Sequence, residues 1–154
     1  MRLPSLGLIN LAIFGLFMIT AGIGSIVPQI VKDRLPEQFR PLWQRVLGTP
    51  DEEWNIVGEG LAVASQWIIG LTELAAGFIA LAALFSASRR RTLAHLSLGL
   101  AMGLFGAFMI VLFFLHEAAL PKWNQYPAIL VWISTTWFLL EYEAGRKEAG
   151  TTVG

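Results

Sequence analysis

The sequence predicts an all-α integral membrane protein, a four-helix bundle with an amphipathic surface helix in its first loop. Three observations support this fold class. The chain has 154 residues, of which 55% are hydrophobic and only 14% are charged, whereas a soluble domain carries about 25% charged residues. Its mean hydropathy is +0.61. Its apolar residues are also gathered into long runs, and a helix needs about 20 such residues to cross the core of a bilayer.

The predicted spans are bounded by proline, serine or charged residues. The ranges are residues 6–27, 61–85, 93–115 and 127–140, within a single transmembrane domain 1–154. Pro28 should end the first span, and Arg89, Arg90 and Arg91 separate the second span from the third. The fourth span is short and begins at Pro127, whose fixed φ suits a first helical turn. The first run exceeds the h-region of about 7–15 residues in a signal peptide, so we expect it to be retained.

The segment 29–60 is polar and should lie outside the membrane. Within it, apolar residues at helical spacing predict a short amphipathic helix on the membrane surface: Phe39, Leu42, Trp43, Val46 and Leu47. The alternative is a partly ordered loop. Thr49 and Glu52 form a capping box around Pro50, which predicts that a helix begins there and leads into the second span. The composition of the tail, 145–154, predicts disorder.

The orientation follows from the lysines and arginines of the loops. One side carries Arg2, Arg89, Arg90, Arg91, Arg146 and Lys147, and the other carries Lys32, Arg34, Arg40, Arg45 and Lys122. The totals are nearly equal, but three arginines share one tight connection while the cations of the first loop are spread among acids. We therefore expect both termini to be cytoplasmic, in a membrane of the bacterial inner-membrane type.

Small residues predict where the helices pack. Gly70 and Gly77 share one face of the second span with Gln66 and Glu73. The third span carries Gly99, Gly103 and Gly106, of which the first two form a GxxxG pattern. Helices in lipid associate through close contacts at such residues rather than through the hydrophobic effect. We expect these glycines to mediate packing within the chain, in preference to homodimerisation.

Glu73 is the most informative candidate functional residue. It lies near the middle of the second span, where an ionised carboxylate costs about 3 kcal/mol or more, and every lysine and arginine lies outside the four spans. We therefore expect it to be mostly protonated and hydrogen-bonded across helices, with candidate partners Asn10, Thr20, Ser134 and Thr135. A structural hydrogen bond is slightly favoured over a proton-relay or ligand-binding role.

The histidines do not form a shared metal site. His95 and His116 lie 21 residues apart, which separates them by about 31 Å on a helix, so we interpret them as interfacial. His116 and Glu117, with Gln66 and Trp67, are a candidate outward-facing cleft for a ligand or quinone under the cover of Trp123 and Tyr126. No metal site is predicted. The cofactor is left open, with quinone, haem and pigment as candidates.

Composition and motifs exclude several other function classes. The chain has no cysteine, which excludes disulfides, thiolate metal sites and cysteine nucleophiles. It contains 11 basic and 11 acidic residues, without the basic patch that nucleic-acid binding needs. No nucleotide-binding or hydrolase motif is present.

Two stretches resemble the DoxX-like family of membrane proteins. Gly70-Leu-Thr-Glu73-Leu-Ala-Ala-Gly77 is similar to the G-x-x-E-x-x-x-G second helix of that family, and Phe17-Met-Ile-Thr-Ala21-Gly22 is similar to its opening helix. The resemblance covers most of the chain and includes four spans with a polar first loop. Ser25 and Asn10 stand where family members often carry basic residues, so Glu73 is the residue that matches. The family includes subunits of thiosulfate:quinone oxidoreductases and proteins that assist redox or stress-response complexes.

These observations predict a small accessory or assembly subunit of a larger membrane complex, of the electron-transfer or respiratory kind. Its expected partners are the lipid bilayer and other membrane protein subunits, and catalytic activity of the isolated chain is not expected. One alternative is a quinone-reactive oxidoreductase subunit of the thiosulfate:quinone type that uses Glu73 or the pair His116–Glu117. A second alternative is a small-solute carrier.

Overall fold

The computed structural model describes residues 5–32, 36, 39–48, 56–115 and 125–151, and these contain five α-helices and no strand. The helices are α1 (Leu6–Lys32), α2 (Arg40–Leu47), α3 (Ile56–Phe85), α4 (Arg90–Leu115) and α5 (Gln125–Thr151). Within the described residues, α1, α3 and α4 each contain a stretch long and apolar enough to cross a membrane. The prediction of a helical membrane protein is therefore confirmed.

The helices extend beyond the predicted spans at several ends. α1 continues through Pro28 to Lys32, so the prediction that Pro28 ends the helix is wrong. Proline removes a single backbone donor, and membrane helices tolerate it within a span. α5 continues to Thr151, so the tail predicted to be disordered is helical from Gly145 to that residue. Four of the seven residues there are arginine, lysine, glutamate and alanine, which cost little in a helix. The predicted capping box at Thr49 lies outside the described residues.

The four long helices pack side by side. α3 contacts α1 on one side and α4 on the other, α4 contacts α5, and α5 returns to contact α1. Apolar side chains of all four helices fill the centre of this arrangement: Leu11, Phe14, Met18, Ala76, Ala80, Ala83, Ala94, Leu98, Ala101, Phe105 and Ile133. The short helix α2 packs against α3, where the indole Nε1 of Trp43 donates to Ser65 Oγ at 3.2 Å.

Glycines allow the close approach of α1 and α3. A Cβ atom added to Gly77 would lie 2.7 Å from the carbonyl oxygen of Gly15, and one added to Gly22 would lie 2.7 Å from that of Gly70. These distances leave no room for a side chain at the helix crossing. The glycine stripes of the two helices therefore face each other along this interface.

The three glycines of α4 that were expected to mediate packing are placed differently from that expectation. No described atom lies within 4 Å of a Cβ atom built on Gly99, Gly103 or Gly106. α4 uses another face for packing, on which the small residues Ala94, Ser97 and Ala101 are buried. The expectation that these three glycines mediate packing within the chain is thus wrong for the described residues, because glycine spacing defines a stripe but not its partner.

Polar contacts join the helices at one end of the bundle. The side chain of Arg90 donates to the carbonyl oxygens of Ala83 and Leu84, each at 3.3 Å, which satisfies acceptors that the end of α3 leaves unpaired. At the same end, the backbone N–H of Gly7 donates to Glu143 Oε1 at 3.0 Å. A carboxylate suits the first turn of α1 because the helix dipole is positive there. We call this end of the bundle the terminal side and the opposite end the α2 side.

Candidate functional site

Glu73 lies in the interface between α3 and α1 and is only 6% exposed. On α3 it follows Gln66 and Gly70 at intervals of seven and three residues, so all three lie on one helix face. Gly70 and Gly77 flank Glu73 and bring the backbone of α1 close to α3. The carboxyl group is therefore held at a helix crossing and not on the lipid-facing surface.

Ser25 of α1 is the hydrogen-bond partner that the structure places beside Glu73. Its hydroxyl group donates to Glu73 Oε2 at 2.8 Å, and its backbone carbonyl accepts a hydrogen bond from Gln66 Nε2 at 3.0 Å. One residue of α1 thus binds two polar side chains of α3. Gln66, a predicted cleft residue, belongs to this polar cluster and is itself buried, at 8% exposed.

The hydroxyl groups that the sequence offered as partners point elsewhere. Thr20 donates to the carbonyl oxygen of Leu16, Ser134 to that of Leu130, and Thr135 to that of Val131. Each hydroxyl group bonds to a carbonyl oxygen in the preceding turn of its own helix, as serine and threonine side chains within helices commonly do. The sequence holds one signal for Ser25, which lies three residues after Gly22 on the face that the glycine stripe of α1 marks. This signal alone does not select Ser25 over the hydroxyl groups of the other spans.

Gln29 extends the polar cluster by one helical turn toward the α2 side. It follows Ser25 by four residues, which places both on the same face of α1. Both polar atoms of its amide group are buried, and neither makes a hydrogen bond within the described part of the chain. Buried amides normally have partners, so an unbonded one requires a physical explanation.

Tyr126 is the titratable residue of α5 that lies within electrostatic range of Glu73. Its ring is half-buried and packs on Phe108 and Phe105, with centroid separations of 5.3 Å and 5.9 Å. The carboxyl group thus has polar partners on α1 and α3, and the tyrosine within its electrostatic range belongs to an aromatic cluster formed by α4 and α5. Such a group can hold, donate or accept a proton inside the bundle.

The predicted outward-facing cleft cannot be assembled from the described residues. His116 and Glu117 lie outside them, as does Trp123. Trp67 is partly exposed on α3. Of the four residues proposed for the cleft, the structure thus joins only Gln66 to a defined cluster, and that cluster is centred on Glu73.

A second polar cluster lies on the terminal side, between α4 and α5. Glu141 accepts bonds from Arg91 Nε at 3.2 Å and Arg91 Nη2 at 2.5 Å, and its Oε1 lies 2.6 Å from His95 Nε2. The hydrogen bond from Arg91 is the main factor that lowers the pKa of Glu141 below its ordinary value, and His95 acts in the same direction. The His95 ring stacks on Trp137 at 5.0 Å. Sequence analysis missed this cluster because it forms only when α4 packs on α5.

The open glycine face of α4 forms a shallow groove of about 480 Å³. Gly99 and Gly103 lie in this groove with His95 at one end, and its remaining lining is Thr72, Leu96, Leu100 and Leu104. Among the described residues, no group of three or more histidine, aspartate or glutamate side chains is arranged to hold a metal ion. The groove is therefore an apolar surface with one polar end.

The fold and these sites define a helical integral membrane protein with a buried carboxyl group in one of its spans. Comparison of the chain with protein-family models, with curated proteins and with solved structures finds no match. The functional argument therefore depends on the geometry of the chain itself.

Proposed function

We propose that the chain is an accessory or assembly subunit that docks to another membrane protein through the open glycine face of α4. The observation that carries this proposal is the absence of any described atom within 4 Å of a Cβ atom on Gly99, Gly103 or Gly106. Lipid supplies little driving force for helix association, so a groove in which a second helix can approach closely is where such contacts form.

The shape of the groove suits a transmembrane helix. Two glycines one turn apart form its floor, and the exposed side chains of Leu96 and Leu100 form part of its walls. A partner with small residues at matching positions would bring the two backbones together and gain dispersion contacts. His95, at the polar end of the groove, would fix the depth of a partner that offers a hydrogen-bonding side chain at that level.

We further propose that α5 is a fourth span. Contacts along the bundle support this topology, since Phe14 of α1 meets Trp132 of α5 at 5.7 Å and His95 of α4 meets Trp137 at 5.0 Å. Helices that touch at several depths occupy the same layer of the membrane. Both termini would then lie on the arginine-rich cytoplasmic side of a bacterial-type inner membrane.

The helix α2 would lie on the opposite membrane surface. Val46 and Leu47 are exposed near its end, and the half-buried Trp43 bonds to α3. An amphipathic helix of this kind places its apolar face at the boundary of headgroups and acyl chains. This position leaves α4 open to partners within the membrane.

The kind of complex is proposed from the resemblance to DoxX-like proteins, some of which belong to electron-transfer assemblies. A respiratory or other redox complex is therefore the expected partner. Photo-crosslinking tests this expectation directly. Because the chain has no cysteine, a Leu100→Cys variant carries a single thiol to which a benzophenone can be attached on the groove.

We expect the label at position 100 to crosslink to one defined membrane protein in native membranes. The matched control is Ile13→Cys, because Ile13 is exposed on α1, away from the groove, and should crosslink mainly to lipid. A side chain that fills the groove should abolish the crosslink, so the label at position 100 is combined with a Gly103→Leu substitution. Gly24→Leu serves as the control, because Gly24 is equally open. Identical crosslinks with and without Gly103→Leu would refute the proposal.

The quinone-reactive subunit is the second candidate function. It is favoured by one observation, the burial of the Glu73 carboxyl group beside a hydroxyl donor within a span. A Glu73→Gln variant preserves the shape of the side chain and removes its titration. Unchanged quinone-linked activity of the complex that contains this variant would eliminate a proton-transfer role for Glu73.

A further inference from the structure

The interface between α1 and α3 is polar on one side of Glu73 and apolar on the other. Toward the α2 side, the next turns carry Ser25 and Gln29, which are half-buried, and Gln66, which is buried. Toward the terminal side, the interface is filled by residues that are 0% exposed and carry no polar side-chain atom: Leu11, Phe14, Met18, Ala76, Ala80 and Ala83. The two halves therefore differ in whether water can be stabilised between the helices.

The buried polar residues of the terminal half do not offer a path. Ser97 donates to the carbonyl oxygen of Ala76 at 2.7 Å, and Thr136 donates to that of Trp132 at 2.9 Å. Both hydroxyl groups are committed to main-chain acceptors, and both residues are 0% exposed. The close contact of Gly15 with Gly77 also leaves no space between the backbones of α1 and α3 on this side.

The α2 half offers partners for water instead. A buried water normally makes about three hydrogen bonds to polar groups, and leaving an amide unbonded costs about 1–3 kcal/mol. Gln29 has both amide atoms buried without a partner in the described part of the chain, one turn from the Ser25 hydroxyl that bonds to Glu73. Gln29, Ser25 and Glu73 thus form a row of polar groups, with Gln29 one helical turn from Ser25, that runs from the α2 side into the membrane.

We propose that Glu73 is a proton-binding site with one-sided access, and that it exchanges its proton only with the α2 side, along a hydrated line that passes Gln29. The proposal does not depend on the partner-binding function, and it shares with the quinone alternative only the exchange of a proton at Glu73. In a complex, such a site would take protons from, or release them to, a single compartment.

The ionisable groups around Glu73 are compatible with this role. Tyr126 of α5 lies within electrostatic range of Glu73. At the level of Glu73, α1 carries Ser25. The ionisable residue of α1 within 5–32 is Lys32, at the end of the helix. The ionisable residues of α4, namely Arg90, Arg91 and His95, lie at the terminal end, and Arg40 and Arg45 lie on α2. In the described residues, the apolar terminal half thus separates Glu73 from the charges of the terminal side.

Carbodiimide labelling in sealed liposomes tests the sidedness. A membrane-permeant carbodiimide reacts with protonated carboxyl groups, and mass spectrometry of the peptide that contains Glu73 measures the product. The full chain carries a Val46→Cys substitution at a 63% exposed position of α2. A membrane-impermeant biotin maleimide added outside then captures, after solubilisation, only those molecules whose α2 side faced the outer solution.

In the captured molecules, labelling should follow the outer pH alone. Raising the outer pH through the titration range of Glu73 should lower labelling about tenfold per pH unit, because the protonated fraction falls by that factor, and raising the inner pH should leave labelling unchanged. Labelling that follows the inner pH, both solutions or neither would overturn the proposal. A Glu73→Gln variant should lose both the label and the infrared band of the protonated carboxyl group.

A second variant tests the path itself. Gln29→Leu removes the buried amide at similar volume and should slow the response of Glu73 labelling to an outer pH jump about tenfold or more. The protein should stay folded, because leucine leaves no buried polar group that needs a hydrogen-bond partner. Thr136→Val is the matched control, since it removes a buried hydroxyl outside the proposed line, and its response should equal that of the parent protein. An equally fast response in Gln29→Leu would refute the role of Gln29 and, with it, the proposed line.

Discussion

The substitution Gly77→Ala tests the closest helix contact in the bundle. The added Cβ atom would lie 2.7 Å from the carbonyl oxygen of Gly15 and 2.8 Å from the backbone nitrogen of Ile19, whereas ordinary contacts begin at 3.4 Å. The backbone of α1 must therefore move away from α3 by about 0.7 Å, the difference between 3.4 Å and 2.7 Å. Overpacking of this kind costs about 1–3 kcal/mol.

The matched control is Gly103→Ala on α4, where nothing lies within 4 Å of the added atom. Alanine is favoured over glycine in a helix interior by about 1 kcal/mol, and this gain applies to both variants. The helix propensity therefore cancels in the comparison. We expect Gly77→Ala to be less stable than Gly103→Ala by about 1–3 kcal/mol, the overpacking cost alone.

The assay is reversible unfolding by dodecyl sulfate in mixed micelles, followed by circular dichroism. The free energy of unfolding is extrapolated to zero denaturant for the parent protein and both variants. Equal stability of Gly77→Ala and Gly103→Ala would refute the reasoning, because it would mean that α1 and α3 do not cross at Gly77. A loss of stability in Gly103→Ala would instead indicate that the groove of α4 is occupied.

Three further predictions follow from single polar contacts. Ser25→Ala removes the hydroxyl that donates to Glu73 and should lower the free energy of unfolding by about 1 kcal/mol in the dodecyl sulfate assay, with Thr20→Ala as an unaffected control. Trp43→Phe removes the hydrogen bond to Ser65 and should expose α2 to limited proteolysis, seen as faster cleavage within 40–47. Arg91 lowers the pKa of Glu141 in the folded protein. The pair therefore contributes its full stabilisation of the fold at pH values above the pKa of Glu141 in the unfolded chain. Stability should then fall as the pH drops through the lower folded pKa, and thermal unfolding of Glu141→Gln should lack this acidic decline.

Much of the helical architecture could be predicted from the chain alone. Apolar runs report directly on burial in lipid, and their lengths match the thickness of a bilayer. The boundaries were less predictable, because Pro28 does not stop α1 and the charged tail continues α5 to Thr151. A proline in a long apolar helix costs one hydrogen bond, which the packing of the rest of the helix outweighs.

The candidate site could be predicted only in part. Glu73 was identifiable as an acid in an apolar run, and Gln66 as a residue on the same helix face. Ser25 could not be identified as the partner of Glu73, because hydroxyl groups occur on every span. Only the crossing of α1 with α3 decides which hydroxyl group lies beside the carboxyl group. The cluster of Glu141, Arg91 and His95 joins two helices whose separation in sequence says nothing about their contact.

The sequence by itself determined that this protein is a helical membrane protein with an acid inside one span, because hydropathy and helical spacing are local properties of the chain. Only the tertiary structure decided which glycines are used. Gly70 and Gly77 bring α1 onto α3, while Gly99 and Gly103 face away from the described bundle. The two stripes look alike as sequence, and the difference arises because helix packing is set by complementary surfaces on separate segments of the chain.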